Sequence, residues 1–489
     1  MIVQTLHEKF RFIGPSYGVN IGCVVRHCIA SRWLSRRRDL LLTVLLIVGL
    51  WALQLPAVVT VAVFVAALLV AVGLTSRKTK LRWKILLSVV AYLGITAFVA
   101  RPLSFLTALL ALLVVTADRY ERRYRVVARR MNAKDFDADA PAYGREGASQ
   151  RASDERRIAH LAGHQDGNVV VYSGYYPFIG SGFPMPRRSW SFAIDVTKPS
   201  PGRSGPVAPT KEGELYAHVE EEMQKLDIEG SSVTRRYYVH GRFPGRDRDL
   251  FFHSKGPHER FPRLRYVIDE VSKLEAHPQE MVRRYADIKV AAWQSELILS
   301  GFLRFSRTSD YLFVELTYFI LPPPKGEYHA IHRYNRRPTP HELSRLLLYS
   351  VRAMPLLWLK APVEVAKWMA RPIGRARREQ QVEQEIRENR RFDFGAVGSI
   401  RESGMDDDYA KYFQQMDVEQ LYKVVDQHLF KIIHKFLRDK GVDTSQLERS
   451  IQAIINKGNW IVGNKNVKVA MDHSAIFDAS GSGDSGGQA

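Results

Sequence analysis

Cysteine is nearly absent: Cys23 and Cys28 are the two in 489 residues. Two thiols exclude a disulfide framework, and without further cysteines their spacing makes no metal site. They read as small apolar residues on one helix face. Their scarcity fits a reducing cytosol.

Most recognisable chemistry is missing too. No P-loop and no dinucleotide fingerprint follows a strand. The loop "GYYPFIGSGF" (174–183) is glycine-rich but lacks the Lys-Ser/Thr and the helix start of a phosphate cradle. His160 and His164 stand four apart, and His329 and His332 three apart, with no Glu-x-x-His or Cys pair nearby, so no metal is expected. "GDSGG" (483–487) mimics a protease nucleophile loop. Ser485 lies five residues from the end, in a tail with no apolar content to build a triad around it. No carboxylate pair or nucleophile–base set emerges. The expectation is a protein without catalytic residues or cofactors.

What is abundant is positive charge and apolar length. Lys and Arg number 71 against 51 acids, a net charge of +20. Such an excess favours nucleic acid or anionic lipid. Much of it borders apolar segments, which favours lipid headgroups over nucleic acid.

Two apolar blocks, 40–74 and 85–117, each carry a breaker near the middle: Gln54 and Pro56 in one, Arg101-Pro102 in the other. One helix through 40–74 would run ~52 Å, well beyond a hydrocarbon core of ~30 Å. Divided at the breakers, the blocks give four short transmembrane helices: 40–54, 56–74, 85–100 and 103–117. Charge agrees. Arg36, Arg37 and Arg38 precede the first block, Arg77, Lys78, Lys80, Arg82 and Lys84 join the two, and Arg119, Arg122 and Arg123 follow the second. Under the positive-inside rule all three basic stretches are cytoplasmic, so each block goes out and back. Re-entrant hairpins would share that sidedness. These basic residues are the candidate headgroup contacts. Within the four segments there is no Asp, Glu, Lys or His, which argues against a pore.

The remaining chain divides by pattern. Residues 1–38 are a cytosolic N-terminus with an interfacial amphipathic helix over 20–34, and 39–117 form the transmembrane region. A basic exit and flexible linker cover 118–154. An α+β domain follows at 155–338. It has strands at 168–174, 189–196 and 234–243, a helix at 213–226, and an antiparallel meander of "YADIKVAAW", "ELILSGFLRF" and "DYLFVELTYFIL". Tyr175, Tyr176 and Phe178 in its glycine-rich loop are candidate partner contacts.

Pro355 and Pro362 divide 339–372 into short amphipathic helices, with Trp358 and Trp368 beside basic residues. They suit a membrane interface, and equally a helix covering the sheet. Residues 373–457 read as a helical domain, with Asp417 as an N-cap and Gly441 as a stop. A β-hairpin and Gly/Ser tail fill 458–489.

The succession "VVVYSGYYPFIGSG", "WSFAIDV", "YYVHGR", "SELILSGFLRF", "LFVELTYFILPP", "FDFGAVGSIRE" and "FLRDKGVDTSQLERS" resembles a group of uncharacterised actinobacterial multipass membrane proteins with no assigned activity. The likeness spans about 165–460 and implies architecture alone. The terminal "NWIVGNKNVKV" distantly resembles short amyloid-signalling motifs of bacterial conflict systems; an ordinary hairpin fits it as well. The expected function is a membrane-tethered interaction or sensing module, in stress or defence signalling, with a protein partner or self-association. An enzyme with an unfamiliar site and a small gated channel are the alternatives. The expected location is a bacterial inner membrane, with both termini cytoplasmic.

Overall fold

The computed structural model describes residues 10–74, 102–131, 136–138 and 155–460, with gaps at 156–157, 160, 164–166, 202–206, 209–210, 226–227, 253–262, 264–265, 267, 276–279 and 389–390, and backbone alone at 51–74, 102–104, 248–249, 268–269, 271–272, 332–333 and 456–460. The chain divides into two compact units. One takes residues 1–21, 159–326 and 390–489; the other takes 22–158 and 327–389.

The first unit is a seven-stranded sheet clothed by helices. Its strands are β1 (Val169–Tyr172), β2 (Phe183–Pro184), β3 (Trp190–Asp195), β4 (Ser231–His240), β5 (Val282–Ala292), β6 (Leu297–Arg307) and β7 (Tyr311–Leu321). The order is β1-β4-β5-β6-β7-β2, and β3 also pairs with β7. β1 runs parallel to β4, and the other pairings are antiparallel. The expected meander is β5-β6-β7. Its period-two alternation sends Ile288, Leu299, Val314 and Tyr318 to one face, and Tyr285, Phe302 and Phe319 to the other.

Two layers cover these faces. On the first face lie α3 (Glu212–Gln224), α5 (Tyr412–Asp439) and α6 (Ser445–Trp460), which bring Val219, Val425, Leu429 and Leu447 into the core. On the second face Phe178 stacks on Phe302 at 3.9 Å among Tyr238, Tyr285 and Phe319. α5 begins at Tyr412, not at the expected cap Asp417. Gln414 Oε1 accepts the amides of Ala410 and Lys411, while Asp417 accepts the Trp293 indole N–H at 2.8 Å. Gly441, with φ +82°, closes α5 as expected: its amide reaches Arg438 O at 2.9 Å.

The body is not a contiguous stretch of sequence. Residues 10–20 and 391–405 are built into the second face. Phe12 N–H donates to Phe394 O, Phe394 N–H to Gly241 O, and Ala396 N–H to Val171 O.

The second unit is helical: α1 (Ile21–Leu74), α2 (Pro102–Tyr120) continued by a π-helical stretch (Glu121–Ala128), and α4 (Pro340–Glu388). Three expectations change here. No separate interfacial helix ends near residue 34, because "LSRRRD" (34–39) contains no breaker and the helix continues. The backbone of α1 also runs unbroken through Gln54-Leu55-Pro56, where a turn was expected. Proline forfeits its own hydrogen bond and crowds the previous turn; a full turn among apolar surroundings would strand several more backbone groups. Likewise 339–372 is not a set of short helices. Pro355, Pro362 and Pro372 all lie inside α4, and the charged 375–388 segment is its last part.

α1 and α2 pair antiparallel through Leu42, Ala111 and Val115, with Ala361 of α4 completing the cluster. Leu41, Ile47, Leu50, Phe105, Leu109 and Leu113 point outward and are exposed. The C-terminal hairpin expected beyond Trp460 lies outside the described residues, as do Ser485, His160 and His164.

Candidate functional site

The structure puts a polar cavity where the sheet's helix-covered face meets β3. The tight turn 185–189, held by Arg188 N–H and Ser189 N–H to Met185 O at 3.0 and 3.1 Å, delivers Trp190 to the start of β3. Trp190 stacks on Phe192, two residues along the same face, at 5.1 Å. From α5, Tyr422, Asp426 and Phe430 follow at intervals of four and so share one helical stripe. Asp426 is thus a carboxylate set into an apolar stripe.

Its partners are definite. Trp190 Nε1–H and the Tyr318 hydroxyl both donate to Asp426 Oδ1, at 2.9 and 2.8 Å. Among the described residues no hydrogen bond reaches Oδ2. Burial disfavours the charged form, and the two donors only partly offset it, so the carboxyl is pushed up to about 6. Asp426 lines a cavity of about 530 Å³ together with Thr317, Lys423, Gln427, Phe430 and Ile454. Arg187 stands at its edge. Arg188 is committed elsewhere: it grips both oxygens of Glu419 at 2.7 and 2.8 Å and lies over the Tyr422 ring. The volume suits a small ligand. Its lining includes the rings of Trp190, Tyr422 and Phe430 and the Asp426 carboxylate. The site can therefore accept a hydrogen bond from an N–H or ammonium group laid against an aromatic surface.

A second polar cluster sits on the opposite face. Asp287, fully buried, accepts from Tyr238 Oη at 2.8 Å and Lys289 Nζ at 3.3 Å, with Arg236 at 3.7 Å. Arg236 donates to the Tyr17 hydroxyl at 2.6 Å, and Lys289 Nζ lies 3.8 Å from the Tyr17 ring centroid. Burial brings Lys289 down to about 7, against the pull of Asp287. Tyr17 lies over this cluster from the N-terminal segment and fastens that segment to the sheet.

The loop 174–183 takes a different role from the expected one. Tyr175 is 87% exposed and Tyr176 is partly so, packing edge-on against Phe319 at 6.1 Å. Phe178 is no partner contact: it is core, because the Phe302 stack buries it. Gly180 and Gly182 have positive φ, and their amides bond Glu402 Oε1 at 2.7 and 3.0 Å. A Cβ at Gly182 would collide with the carbonyl of Ile320, so glycine is required there.

Of the basic candidates, Arg37 pairs with Glu121, Arg38 with Asp39 and Asp118, and Arg122 with Asp118 at 2.9 Å. Arg36 lies over Trp368 and Arg123 over Tyr334. Arg119 is half-buried at the end of α2. Arg77, Lys78, Lys80, Arg82 and Lys84 lie outside the described residues. Among the described residues no three His, Cys, Asp or Glu side chains converge as a metal site.

Asp426 does not stand out from the sequence. An acid at Phe/Tyr spacing on an apolar helix face was its one signal, and only the fold brings Trp190 and Tyr318 to it.

Fold and cavity together define a sheet-and-helix body with a carboxylate-lined groove, alongside a helical unit that exposes apolar residues. The chain belongs to the AbeC-like domain family, whose profile matches residues 189–468, more than half its length. The match includes Trp190, Asp426 and all of α4, and leaves α1 and α2 outside. No curated protein and no solved structure matches the chain.

Proposed function

We propose that the protein is a membrane-tethered sensing module. α1 and α2 anchor it, and its sheet body presents the Asp426 groove to a small ligand on the cytoplasmic side of a bacterial inner membrane. The observation that carries the reading is the outward apolar surface of the helical unit, bounded by a collar of ion pairs. Leu41, Ile47, Leu109 and Leu113 face out on one side of it. Arg37–Glu121 and Arg38–Asp118 tie the two helices together at its edge. Water would penalise that surface and lipid would not. The resemblance to actinobacterial multipass proteins supports the same reading, as does the +20 charge beside anionic headgroups.

Sensing is favoured over catalysis because Asp426 is the carboxylate with a raised pKa in the groove, and its described hydrogen-bond partners, Trp190 and Tyr318, are donors that hold it in place. Stress or defence signalling is the setting we assign to it, through a protein partner or self-association. Charge pattern favours four crossings, with 75–84 cytoplasmic; unbroken α1 favours two, with 75–84 outside. Both return the body to the N-terminal side, and an impermeant thiol reagent on Thr79→Cys separates them.

The test is a ligand-stabilisation screen of the full chain in detergent, with Asp426→Asn in parallel. A compound bearing an N–H or ammonium group is expected to raise the wild-type melting temperature and to lose that effect in the variant. Equal stabilisation of both proteins contradicts the groove. Turnover of the hit favours the enzyme reading.

A further inference from the structure

By length and composition α4 is apolar enough to cross a membrane, and its apolar stretch is mostly exposed. Its contacts describe a different path. Near its start Leu346 packs on Tyr124 and Ala128. Further along, Met354, Leu357 and Ala361 pack with Leu42, Ala111 and Val115, and the Trp358 indole N–H donates to Leu42 O at 3.0 Å. Ten residues later Trp368 lies beneath the Arg36 guanidinium, 5.4 Å away.

Arg36, Arg37 and Arg38 belong to the collar. Leu42 is four residues further along α1, ~6 Å deeper at 1.5 Å per residue. So α4 starts outside the collar, dips ~6–10 Å below it where Ala361 and Trp358 meet Leu42 and Ala111, with the Trp358 ring reaching towards Gly49, and is back at the collar by Trp368. Helices that lie in a membrane interface sit ~5–10 Å deep; a crossing needs ~30 Å. Pro355 and Pro362 flank the lowest point, and a proline inside a helix is where a bend is accommodated.

The flanks give an independent argument. Before α4, Pro324 bridges to Met405, and Lys325 N–H donates to Gly404 O at 3.0 Å; after it, Asp406 N–H donates to Pro323 O at 2.8 Å. The two ends of the excursion are stapled together in one body. A helix that crossed once would leave them on opposite faces.

We propose that α4 is a bent wedge seated in the membrane leaflet next to the collar, with its outward apolar face on acyl chains and its basic residues at anionic headgroups. Leu348, Leu356, Leu359 and Val363 form that face, each more than half exposed. Lys360, Lys367 and Arg371 are long enough to reach the phosphates while their stems stay in the apolar layer. Trp358 and Trp368 suit the same depth. The proposal rests on the reading of α1 and α2 as membrane helices.

The test uses the full chain with Cys23→Ala and Cys28→Ala, in vesicles of phosphatidylcholine and phosphatidylglycerol. Single fluorophore-labelled cysteines replace Ile47, Leu359, Leu343 and Glu379. Lipids spin-labelled near the headgroup are expected to quench Leu359→Cys more than lipids labelled near the chain end. An impermeant thiol reagent is expected to reach Leu343→Cys and Glu379→Cys from the same side. Stronger quenching of Leu359→Cys by the deep label, with Glu379→Cys reached from the opposite side, overturns the wedge in favour of a crossing. No quenching at Leu359→Cys while Ile47→Cys is quenched overturns it in favour of a protein partner. No quenching at Ile47→Cys refutes the membrane reading, and the wedge with it.

Discussion

The hydroxyls of Ser16 and Ser399, 383 positions apart in the chain, hydrogen-bond at 2.8 Å in the interior of the sheet body. Ser16 Oγ also accepts the amide of Ile400 at 3.1 Å. This contact holds the segment before α1 and the segment after α4 in one place, so the chain leaves for its first helical excursion and returns from its last at the same point of the sheet body. Ser16→Ala leaves a buried hydroxyl and a buried amide short of a partner. It is expected to cost about 1–3 kcal/mol, read by chemical denaturation of the full chain in detergent. Unchanged stability would mean that the N-terminal segment is not part of the body.

The Asp287 cluster makes a sharper prediction. Arg236→Met removes the Tyr17 bond and one of the charges around a buried carboxylate. The expected destabilisation is about 3–5 kcal/mol. Adding Asp287→Leu should recover part of it, because no uncompensated acid then remains. A double variant as unstable as the sum of the single ones would show that the two groups act separately.

Asp426 sets a pH dependence whose sign is opposite to the usual carboxylate case. Its folded-state value of about 6 lies above its ordinary 3.8. Between those values the unfolded chain releases the proton while the native chain keeps it. Stability therefore falls as pH rises across that window, with a cost of about 3 kcal/mol above it. Glu402, also raised by burial, slopes the same way, so the readout is the difference between proteins. Asp426→Asn should flatten the decline in melting temperature from pH 4 to pH 6. An identical slope in wild type and variant would place the perturbed group elsewhere.

At the collar, Asp118 accepts from Arg122 at 2.9 and 3.0 Å and from Arg38 at 3.4 Å. Asp118→Asn keeps the shape and removes the charge. Loss of these charge-assisted bonds is expected to destabilise the helical unit by about 1.5–3 kcal/mol. Unfolding in mild detergent should then start at lower denaturant in the variant, and coincident curves would show that the ion pairs are dispensable.

Much of the body was legible beforehand. β5, β6 and β7 follow from alternation and turn residues, because one face of each must be buried. Gly441 announced the end of α5 for the steric reason that only glycine adopts its φ cheaply. Long helices were less legible. Pro56, Pro355 and Pro362 look like breaks, yet each helix continues, since a proline forfeits its own hydrogen bond and leaves the rest of the ladder in place. Phe178 looked exposed because its neighbours Tyr175 and Tyr176 are polar-tipped and flanked by glycine; its burial depends on Phe302, over a hundred residues away. The counter-charges Asp118 and Glu121 were visible only as part of a basic stretch, and their pairing with Arg37 and Arg38 needs two helices brought side by side.

The central claim is that the sheet body stays on the cytoplasmic side of the membrane that α1 and α2 anchor. Tyr175, at the exposed tip of the body's glycine-rich loop, is the place to test it. In the background without Cys23 and Cys28, Tyr175→Cys is treated with a membrane-impermeant maleimide in intact bacterial cells, then after permeabilisation. The account predicts no labelling until the membrane is opened. Full labelling of intact cells would put the body outside and contradict it.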